Sequence, residues 1–393
     1  MNIRYPTPHD PAGHPAALHP DVAGFVARGD LSPQAFQEAF GGRDLPLVEP
    51  DALTFLWYGR AQGVDILRWI HAGVDRLAFA RLGDSDIWHL RIPAEKAGRF
   101  EYKLSLRHHH GGEEWVLDPR NSNRAGDPFG ENSVAMTHGY VQPLWSLDQG
   151  APRGRMADLP VDSAVFGHVR TEKVYLPAHH DGDRAYPMVI VHDGSDYDTF
   201  AALTVSIDNL IHEGAIPPLI AVLIQTHDRM SEYPRGRRHA RYVVRELLPA
   251  LESGYRISGD MRDRVLLGAS LGAVASLSTA YRYPGTFGGL VLKSGSFVLD
   301  RQKLNARTNP VFHSTARLVD VLKRAPGLDG VRAYISTGEL EGLASDNRAL
   351  ADLLHERGIE VLFQSSWDGH HWHNWRDQLR NALTWVLGRE DAS

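Results

Sequence analysis

The pattern of hydrophobic and polar positions along the chain changes character near residue 160. Before that point, short runs of alternating apolar and polar residues, rich in aromatic side chains, are separated by turns, as is typical of a half-buried antiparallel sandwich. Four such runs are predicted as strands, at residues 53–58, 77–80, 87–92 and 100–106. We therefore predict a β-sandwich domain over residues 41–147, preceded by a partly helical N-terminal extension over residues 1–40.

Beyond residue 160, apolar runs of strand length alternate with helical patterns, the rhythm of a mostly parallel sheet flanked by helices. The predicted strands are residues 188–192, 219–226, 290–293, 331–337 and 360–365, and the predicted helices are residues 198–213, 240–251, 345–357 and a last segment from Trp372. We assign residues 163–393 to this α/β domain and residues 148–162, rich in Gly, Pro and charge, to a linker. The irregular residues 299–314 are predicted to form part of a lid.

Composition narrows the class of protein. With 393 residues, 42% of them hydrophobic and 23% charged, the chain has the make-up of a soluble globular protein. A net charge of −6 gives no reason to expect binding to nucleic acid or to an anionic membrane. The chain contains no cysteine, which excludes disulfides, thiolate metal sites and a cysteine nucleophile. The N-terminal residues show no secretory signal and the longest apolar run, residues 215–224, is too short to span a bilayer, so we expect a cytoplasmic protein.

The most informative stretch is Gly268-Ala269-Ser270-Leu271-Gly272. A strand-like apolar run ends at its first glycine, and a helix-compatible run of small residues follows its second. An α/β-hydrolase nucleophile elbow requires this context, because its serine lies on a strained turn between a strand and a helix. Ser270 is therefore the candidate nucleophile, and the second domain is predicted to have the α/β-hydrolase fold. The alternative is a simple Gly/Ser turn.

The candidate base is sought after residue 270. A serine hydroxyl needs an adjacent base, and in α/β hydrolases the triad follows the chain order serine, acid, histidine. Residues 367–373 follow the last predicted strand and contain three histidines. His370, directly after a glycine, is the predicted base, and His371 and His373 are the alternatives.

The candidate acid should follow the preceding strand. Glu339 and Glu341 both lie in the loop after the strand that ends at residue 337. Either carboxylate could orient the imidazole, and a backbone carbonyl could do so in place of an acid.

An acyl-transfer site also needs N–H donors for the developing oxyanion. One is conventionally the backbone N–H of the residue after the nucleophile, here Leu271, and the other comes from an earlier strand–helix loop. Residues 192–197 follow a predicted strand and contain a glycine that lets backbone approach a ligand. Gly194 or Ser195 is the predicted second donor.

Several further segments carry a resemblance to a known family. They are residues 45–49 with 53–57, residues 118–121 with 133–134, residues 191–194, and residues 229–233 with 246–249. Together with the elbow, they resemble the enterochelin (enterobactin) esterase family, hydrolases of siderophore trilactones related to the esterase D group. The resemblance begins near residue 44 and continues to the C-terminus. It implies a serine esterase that needs no cofactor, with an immunoglobulin-like (E-set) β-sandwich before the α/β-hydrolase domain.

The resemblance also implies roles for single residues. Those that fall on the family's catalytic and oxyanion-hole positions are Ser270, His370, Glu341, Leu271 and Gly194. The match at the acid favours Glu341 over Glu339. The chain departs from the family in two places. Residues 368–371 read Asp-Gly-His-His where Gly-Gly-His-Asp is frequent, and His192 stands where an apolar residue is common.

Substrates of the resembled family are anionic catecholates joined by serine esters, often carrying iron. We predict that Arg229, with Asp193 and Ser195, binds such a small-molecule ester, because guanidinium groups pair with anionic oxygens and stack on aromatic rings. Three nearby arginines could contribute, namely Arg235, Arg237 and Arg238. The alternative is a solvated basic loop in which Arg229 pairs with Glu232. The predicted function is cleavage of the esters of a catecholate siderophore, which releases iron in the cytoplasm.

Two other functions stay open. The sandwich tryptophans could form the carbohydrate platform of a feruloyl or acetyl esterase, although strand aromatics usually fill a core; they are Trp57, Trp69, Trp88, Trp115 and Trp145. A ligand-binding protein that kept the elbow and lost its base is the non-enzyme alternative. Histidine runs at residues 108–110 and 179–180 suggest a metal, but adjacent histidines on an extended chain point apart, so we predict no metal site. A weak metal site near His371 and His373 is the alternative.

Overall fold

The N-terminal part of the chain places two helices on a β domain. The computed structural model describes residues 18–70, 73–300, 304, 310–324 and 327–388. Helices α1 (Pro20–Ala27) and α2 (Pro33–Phe40) each begin with proline, which suits a first helical turn because its missing N–H would have no partner there. Their phenylalanines pack against Leu56 and Ile87 of the β domain.

Ten strands form this β domain. They are β1 (Leu47–Val48), β2 (Ala52–Tyr58), β3 (Gly63–Ile70), β4 (Gly73–Ala78), β5 (Ala80–Arg81), β6 (Ile87–Pro93), β7 (Arg99–Arg107), β8 (Glu113–Val116), β9 (Arg124–Asp127) and β10 (Gly130–Met136). One antiparallel sheet has the order β1-β2-β6-β5, and the other has the order β4-β3-β7-β10-β9 with β8 on β7. Phe55, Val64, Trp88 and Phe100 contribute to a shared core. The antiparallel β domain is confirmed, although the run 77–80 is divided between β4 and β5.

The second domain is built on one eight-stranded sheet. Its strands are β11 (Arg155–Ser163), β12 (His168–Leu176), β13 (Met188–His192), β14 (Ile220–Ile224), β15 (Arg264–Ala269), β16 (Gly289–Lys293), β17 (Arg332–Gly338) and β18 (Glu360–Ser366). Their order is β11-β12-β14-β13-β15-β16-β17-β18. Strands β13 to β18 run parallel, whereas β11 and β12 pair antiparallel with their neighbours.

Helices cover both faces of this sheet. They are α3 (Gly194–Ala201), α4 (Leu203–His212), α5 (Arg229–Arg235), α6 (Arg237–Tyr242), α7 (Leu248–Gly254), α8 (Leu271–Arg282), α9 (Val311–Arg324), α10 (Ala344–Glu356), α11 (Trp372–Asp377) and α12 (Leu379–Leu387). Successive side chains of a strand point to opposite faces. Accordingly, Leu266 packs in one apolar cluster while Val265 and Leu267 pack in another. Among the residues that the structure describes, no helix combines the length and apolar character needed to cross a membrane.

The predicted linker needs correction. From Arg155 onward it forms strand β11, which pairs with β12 along its whole length. The pattern was misleading because β11 is an edge strand, where polar residues and Pro160 are tolerated on the side without a ladder partner. The chain therefore enters the second sheet several residues earlier than the composition suggested.

Three other predicted segments also differ. The helix predicted at 198–213 is two helices, because Ala202 adopts a left-handed φ of 48° between α3 and α4. The helix predicted at 240–251 contains a π-turn at Val243–Leu247, shortly before Pro249. Within the predicted lid, helix α9 begins at Val311, and residues 301–303 and 305–309 lie outside the described residues.

Candidate active site

Ser270 occupies the turn between strand β15 and helix α8. Its φ of 55° and ψ of −119° fall where side chains with a Cβ are rare, at a cost on the order of 1–3 kcal/mol. The flanking glycines permit the turn, since a Cβ on Gly268 would lie 2.3 Å from the carbonyl carbon of Gly272. A Cβ on Gly272 would lie 3.1 Å from the Cβ of His192. The local geometry is therefore that of a strand–turn–helix elbow.

The sheet brings the other predicted residues to the same edge. Strands β15, β16, β17 and β18 are parallel neighbours, and their register aligns Ala269 with Lys293 and Ser336 with Gln364. Loops that follow parallel strands emerge at one edge of the sheet, where open α/β folds bind ligands. The elbow and the loops carrying Glu341 and His370 share this edge.

His370 and Glu341 are directly bonded. His370 Nδ1 lies 2.5 Å from Glu341 Oε2, and the side chains are 7% and 0% exposed. Glu341 also accepts hydrogen bonds from the Gly338 N–H at 2.8 Å and the Thr337 hydroxyl at 2.5 Å. Because Nδ1 carries the proton that faces the carboxylate, the basic lone pair of the neutral ring is on Nε2. The pair thus has the arrangement that a general base and its orienting acid require.

Glu341 stays ionised despite its burial. Burial by itself would raise the pKa of this carboxyl, but the attraction of the His370 ring when it is protonated, together with hydrogen bonds from His370, Thr337 and Ser294, outweighs it and holds the pKa below its ordinary value. A carboxylate in this place can orient the imidazole and stabilise the imidazolium.

Ser296 is a polar neighbour of Ser270 that the sequence analysis missed. Its Oγ lies 3.0 Å from the Ser270 Oγ, and its N–H donates to the Ser270 carbonyl at 3.1 Å. Asn347 holds this loop through both the N–H and the carbonyl of Gly295, at 2.8 and 3.0 Å. The available signal was the polar run 294–296, directly after the strand predicted at residues 290–293.

Lys293 is a second missed group. Its side chain is fully buried, and Nζ donates to the Trp375 carbonyl at 2.6 Å. Burial lowers the pKa of Lys293 to about 7. The Trp375 indole N–H donates to the Ser294 hydroxyl at 2.9 Å. These contacts tie helix α11, which follows His370, to the loop that carries Ser296.

The two predicted oxyanion donors begin two helices. Leu271 is the first residue of α8 and Gly194 the first residue of α3. The first N–H groups of a helix have no carbonyl partner within it and lie at the positive end of its dipole, so both can serve an oxyanion. Glycine is required at 194 because a Cβ would lie 2.4 Å from Leu223 Cα. The preceding Asp193 has a left-handed φ of 55°.

Arg229 is held against the same loop. Its Nε donates to Asp193 Oδ2 at 2.8 Å, and its Nη2 donates to the last carbonyl of β15 at 3.2 Å. The alternative pairing of Arg229 with Glu232 is wrong, because Glu232 pairs with Arg170 at 3.0 Å. The Arg229 side chain remains 32% exposed, and Ser195 is half-buried one residue beyond Gly194.

The alternative acid and bases face another way. Glu339 pairs with Lys96 at 2.6 Å. His371 Nδ1 and His373 Nδ1 lie 3.6 and 3.3 Å from the carboxylate of Glu101. All three side chains therefore contact the N-terminal domain.

The histidine runs form ring stacks. His108 stacks on His110 with ring centroids 5.3 Å apart, and His180 stacks on Tyr186 at 4.9 Å. Within the described ranges, no group of three His, Asp or Glu side chains is placed to hold a metal ion.

The chain is similar in sequence to known esterases. Residues 163–386 match the family described as "Putative esterase". The iron(III) enterobactin esterase of Dickeya dadantii (strain 3937) is 26% identical over 429 residues, covering 94% of this chain and 97% of that protein.

Solved structures match over both domains. The enterobactin esterase of Shigella flexneri, crystallised in the presence of enterobactin, matches with a TM-score of 0.70 at 20% identity, over 90% of this chain and 98% of that chain. The ferric enterobactin esterase of Salmonella typhimurium matches with a TM-score of 0.71 at 19% identity, over the same shares. These likenesses confirm the fold, an antiparallel β domain followed by an α/β-hydrolase domain.

Proposed function

The chain belongs to this esterase family, in its enterobactin-esterase-like form with an N-terminal β domain, and we propose that it cleaves esters through Ser270, His370 and Glu341. The observation that carries the proposal is the 2.5 Å contact between His370 Nδ1 and Glu341, at the sheet edge where Ser270 lies on its strained turn.

The first step of the proposed reaction is acylation of Ser270, with His370 accepting the proton. Ser270 Oγ attacks the ester carbonyl carbon while its proton passes to His370 Nε2, and Glu341 stabilises the resulting imidazolium. When the tetrahedral intermediate collapses, the C–O bond breaks and the alcohol leaves with the proton from Nε2. Water then repeats the sequence on the acyl-enzyme and returns Ser270 to its free form.

The developing negative charge is met by backbone N–H groups. Leu271 and Gly194 would donate to the oxyanion from the ends of α8 and α3, where the helix dipoles favour negative charge. Asp193 directly precedes Gly194, and its ion pair with Arg229 would reduce any repulsion between its carboxylate and the oxyanion.

We further propose that the substrate is a catecholate siderophore ester of the enterobactin type, with iron as its cargo. The extended similarity to the Dickeya enterobactin esterase supports this class. The Arg229 side chain is partly exposed, and a guanidinium can stack on a catechol ring or pair with its oxygens. Hydrolysis would leave serine-linked catecholate units that hold iron less tightly than the intact trilactone.

The test compares simple and natural esters. Turnover of p-nitrophenyl esters and of iron-free and iron-loaded catecholate trilactone is measured for the wild type, Ser270→Ala and His370→Ala. Both variants should lose about 10³-fold or more in kcat on every ester that the wild type cleaves. Unchanged turnover in Ser270→Ala would refute the nucleophile.

Matched controls are available on the surface. Ser253→Ala in α7 and His355→Ala in α10 replace exposed residues of the same types and should keep wild-type rates. Cleavage of p-nitrophenyl esters without cleavage of the trilactone would overturn the siderophore assignment alone. Feruloyl and acetyl sugar esters in the same assay would then identify a carbohydrate esterase.

A further inference from the structure

The N-terminal domain reaches the proposed active site through the start of strand β7. Gly98 forms a parallel bridge with Trp367, and the Arg99 N–H donates to the Trp367 carbonyl at 3.1 Å. The approach is so close that a Cβ on Gly98 would lie 2.2 Å from that carbonyl oxygen. Trp367 also packs edge-on against Phe100, with ring centroids 5.8 Å apart. Residues 367–373 include the first two residues of helix α11, and we name this segment the histidine loop. It is therefore attached to the N-terminal domain at its first residue.

Two buried charges on β7 contact the same loop. Arg99 and Glu101 are only 3% and 2% exposed, and their side chains lie 3.2 Å apart. The Glu101 carboxylate also lies 3.6 Å from His371 Nδ1 and 3.3 Å from His373 Nδ1. Arg99 Nη1 lies 3.9 Å from Asp368 Oδ2. The two charges together contact loop residues on both sides of the proposed base.

The charges are arranged to offset the cost of burial. An unpaired buried carboxylate costs several kcal/mol, but Glu101 faces Arg99 and accepts a hydrogen bond from Asn132 at 3.0 Å. Burial lowers the pKa of His371 to about 4, so its ring is neutral at pH 7, and its contact with Glu101 is one between a neutral imidazole and a carboxylate. Burial raises the pKa of Asp368 well above its usual range in spite of Arg99. The Arg99–Glu101 pair therefore places a positive and a negative charge in direct contact behind these residues.

The catalytic domain holds the other side of the histidine loop. The Leu340 N–H donates to the Asp368 carbonyl at 3.0 Å, and the Asn374 amide donates to the Gly369 carbonyl at 2.8 Å. His370 directly follows these two attached carbonyls. A general base must be held to within about 0.5 Å of its productive position. Here contacts from both domains hold the segment that carries His370.

We propose that Glu101, supported by Arg99, is a positioning residue: by holding His371 and His373 from the N-terminal domain, it fixes the histidine loop and the orientation of His370 toward Glu341. The inference rests on the proposed function, because it requires His370 to be the base. It gives the N-terminal domain a part in the chemical step, through a side chain buried behind the loop.

The test separates catalysis from binding and from folding. Glu101→Ala removes both contacts to the loop, and kcat on a p-nitrophenyl ester should fall about 10–100-fold with KM within about twofold, since a displacement of about 1 Å has this effect. Glu101→Gln keeps the volume and one acceptor oxygen, so its kcat should be intermediate. The downfield proton resonance of the His370–Glu341 bond should shift or broaden in Glu101→Ala. Rates are divided by the folded fraction from circular dichroism.

Two further variants make the outcome decisive. Lys96→Met breaks a different interdomain ion pair, with Glu339, and should keep the wild-type kcat. His370→Ala measured alongside tests the proposed function: if it retains full activity, that function fails and the positioning role fails with it. If His370→Ala is inactive while Glu101→Gln and Glu101→Ala keep the wild-type kcat and resonance, only the positioning role is overturned. Should Glu101→Ala not fold, a wild-type kcat in Glu101→Gln overturns it.

Discussion

The imidazoles of His192 and His239 meet at 2.9 Å, Nε2 to Nε2, and both side chains are fully buried. His192 is the last residue of β13, directly before residues 193–197, which we name the oxyanion loop because they include the proposed donor Gly194. His192 Nδ1 lies 3.1 Å from the Leu267 carbonyl and 3.0 Å from the Ser276 hydroxyl. The residue thus links the oxyanion loop to both the strand and the helix of the elbow. The Nε2-to-Nε2 contact needs a lone pair on one of the two rings, so it is incompatible with both rings being protonated.

Acid should therefore weaken the fold through His192. Burial, aided by His239 and Arg229, holds the pKa of His192 well below its ordinary value. The unfolded chain takes up this proton near pH 6.5 and the folded chain does not, so stability is lost as pH falls below about 6.5. His192→Gln is neutral throughout and should reduce the slope by up to about 1.4 kcal/mol per pH unit. Urea unfolding at several pH values from 7 to 5 measures how the free energy of unfolding depends on pH. The exposed His355→Gln is the control. Identical slopes in His192→Gln and wild type would contradict the prediction.

Glu341→Gln should lower kcat about 10³–10⁴-fold with little change in KM, because an amide can neither select the required tautomer of His370 nor stabilise the imidazolium. The matched control is Glu339→Gln, two residues earlier, which weakens only the surface contacts with Lys96 and Ser365 and should remain close to wild type. Initial rates on a p-nitrophenyl ester measure both variants. If the ranking of the two variants were reversed, the acid would be Glu339.

The sequence predicted those parts of the site that depend on local pattern. The elbow at Ser270 lies within one short stretch in which strand, glycines and helix follow one another. Chain order and strand ends narrowed the base to the histidines of residues 367–373, with His370 preferred, and the acid to Glu339 or Glu341, because parallel strands deliver their loops to one edge. The resemblance contributed the choice between Glu341 and Glu339.

What the sequence could not predict depends on packing between distant segments. The contact of Glu101 with His373 joins residues 272 positions apart, and no periodicity encodes it. Strand β11 was missed because an edge strand needs no continuous apolar run. The break at Ala202 was missed because a left-handed alanine has no compositional signal, and Lys293 was missed because a lysine that ends an apolar run is usually solvated.

The strained backbone of Ser270 should lower the free energy of unfolding, and replacing the serine with glycine should relieve that strain. Its φ of 55° and ψ of −119° are accessible to glycine, whereas alanine keeps the Cβ that causes the strain. Ser270→Gly should be about 0.5–2 kcal/mol more stable than Ser270→Ala after allowing for the greater entropy of unfolded glycine. Both variants should be inactive. Urea unfolding at pH 7 compares them directly, and a less stable Ser270→Gly would show that the turn is not strained.

Gly194→Ala should lower both the stability of the fold and the stabilisation of the transition state. The new Cβ would lie 2.4 Å from Leu223 Cα, which is backbone and cannot rotate away, so the start of α3 must move together with the proposed donor N–H. We expect a loss of about 1–3 kcal/mol in stability and, in the protein that still folds, a fall in kcat of about 10²-fold or more. Because an oxyanion donor acts in the transition state, kcat should fall while KM stays nearly constant.

Gly259→Ala is the control, since a Cβ there has no heavy atom within 4 Å and should leave both stability and kcat unchanged. If Gly194→Ala were destabilised but retained the wild-type kcat, the second donor would have to be sought at Ser195, the other residue of this loop that the sequence analysis considered.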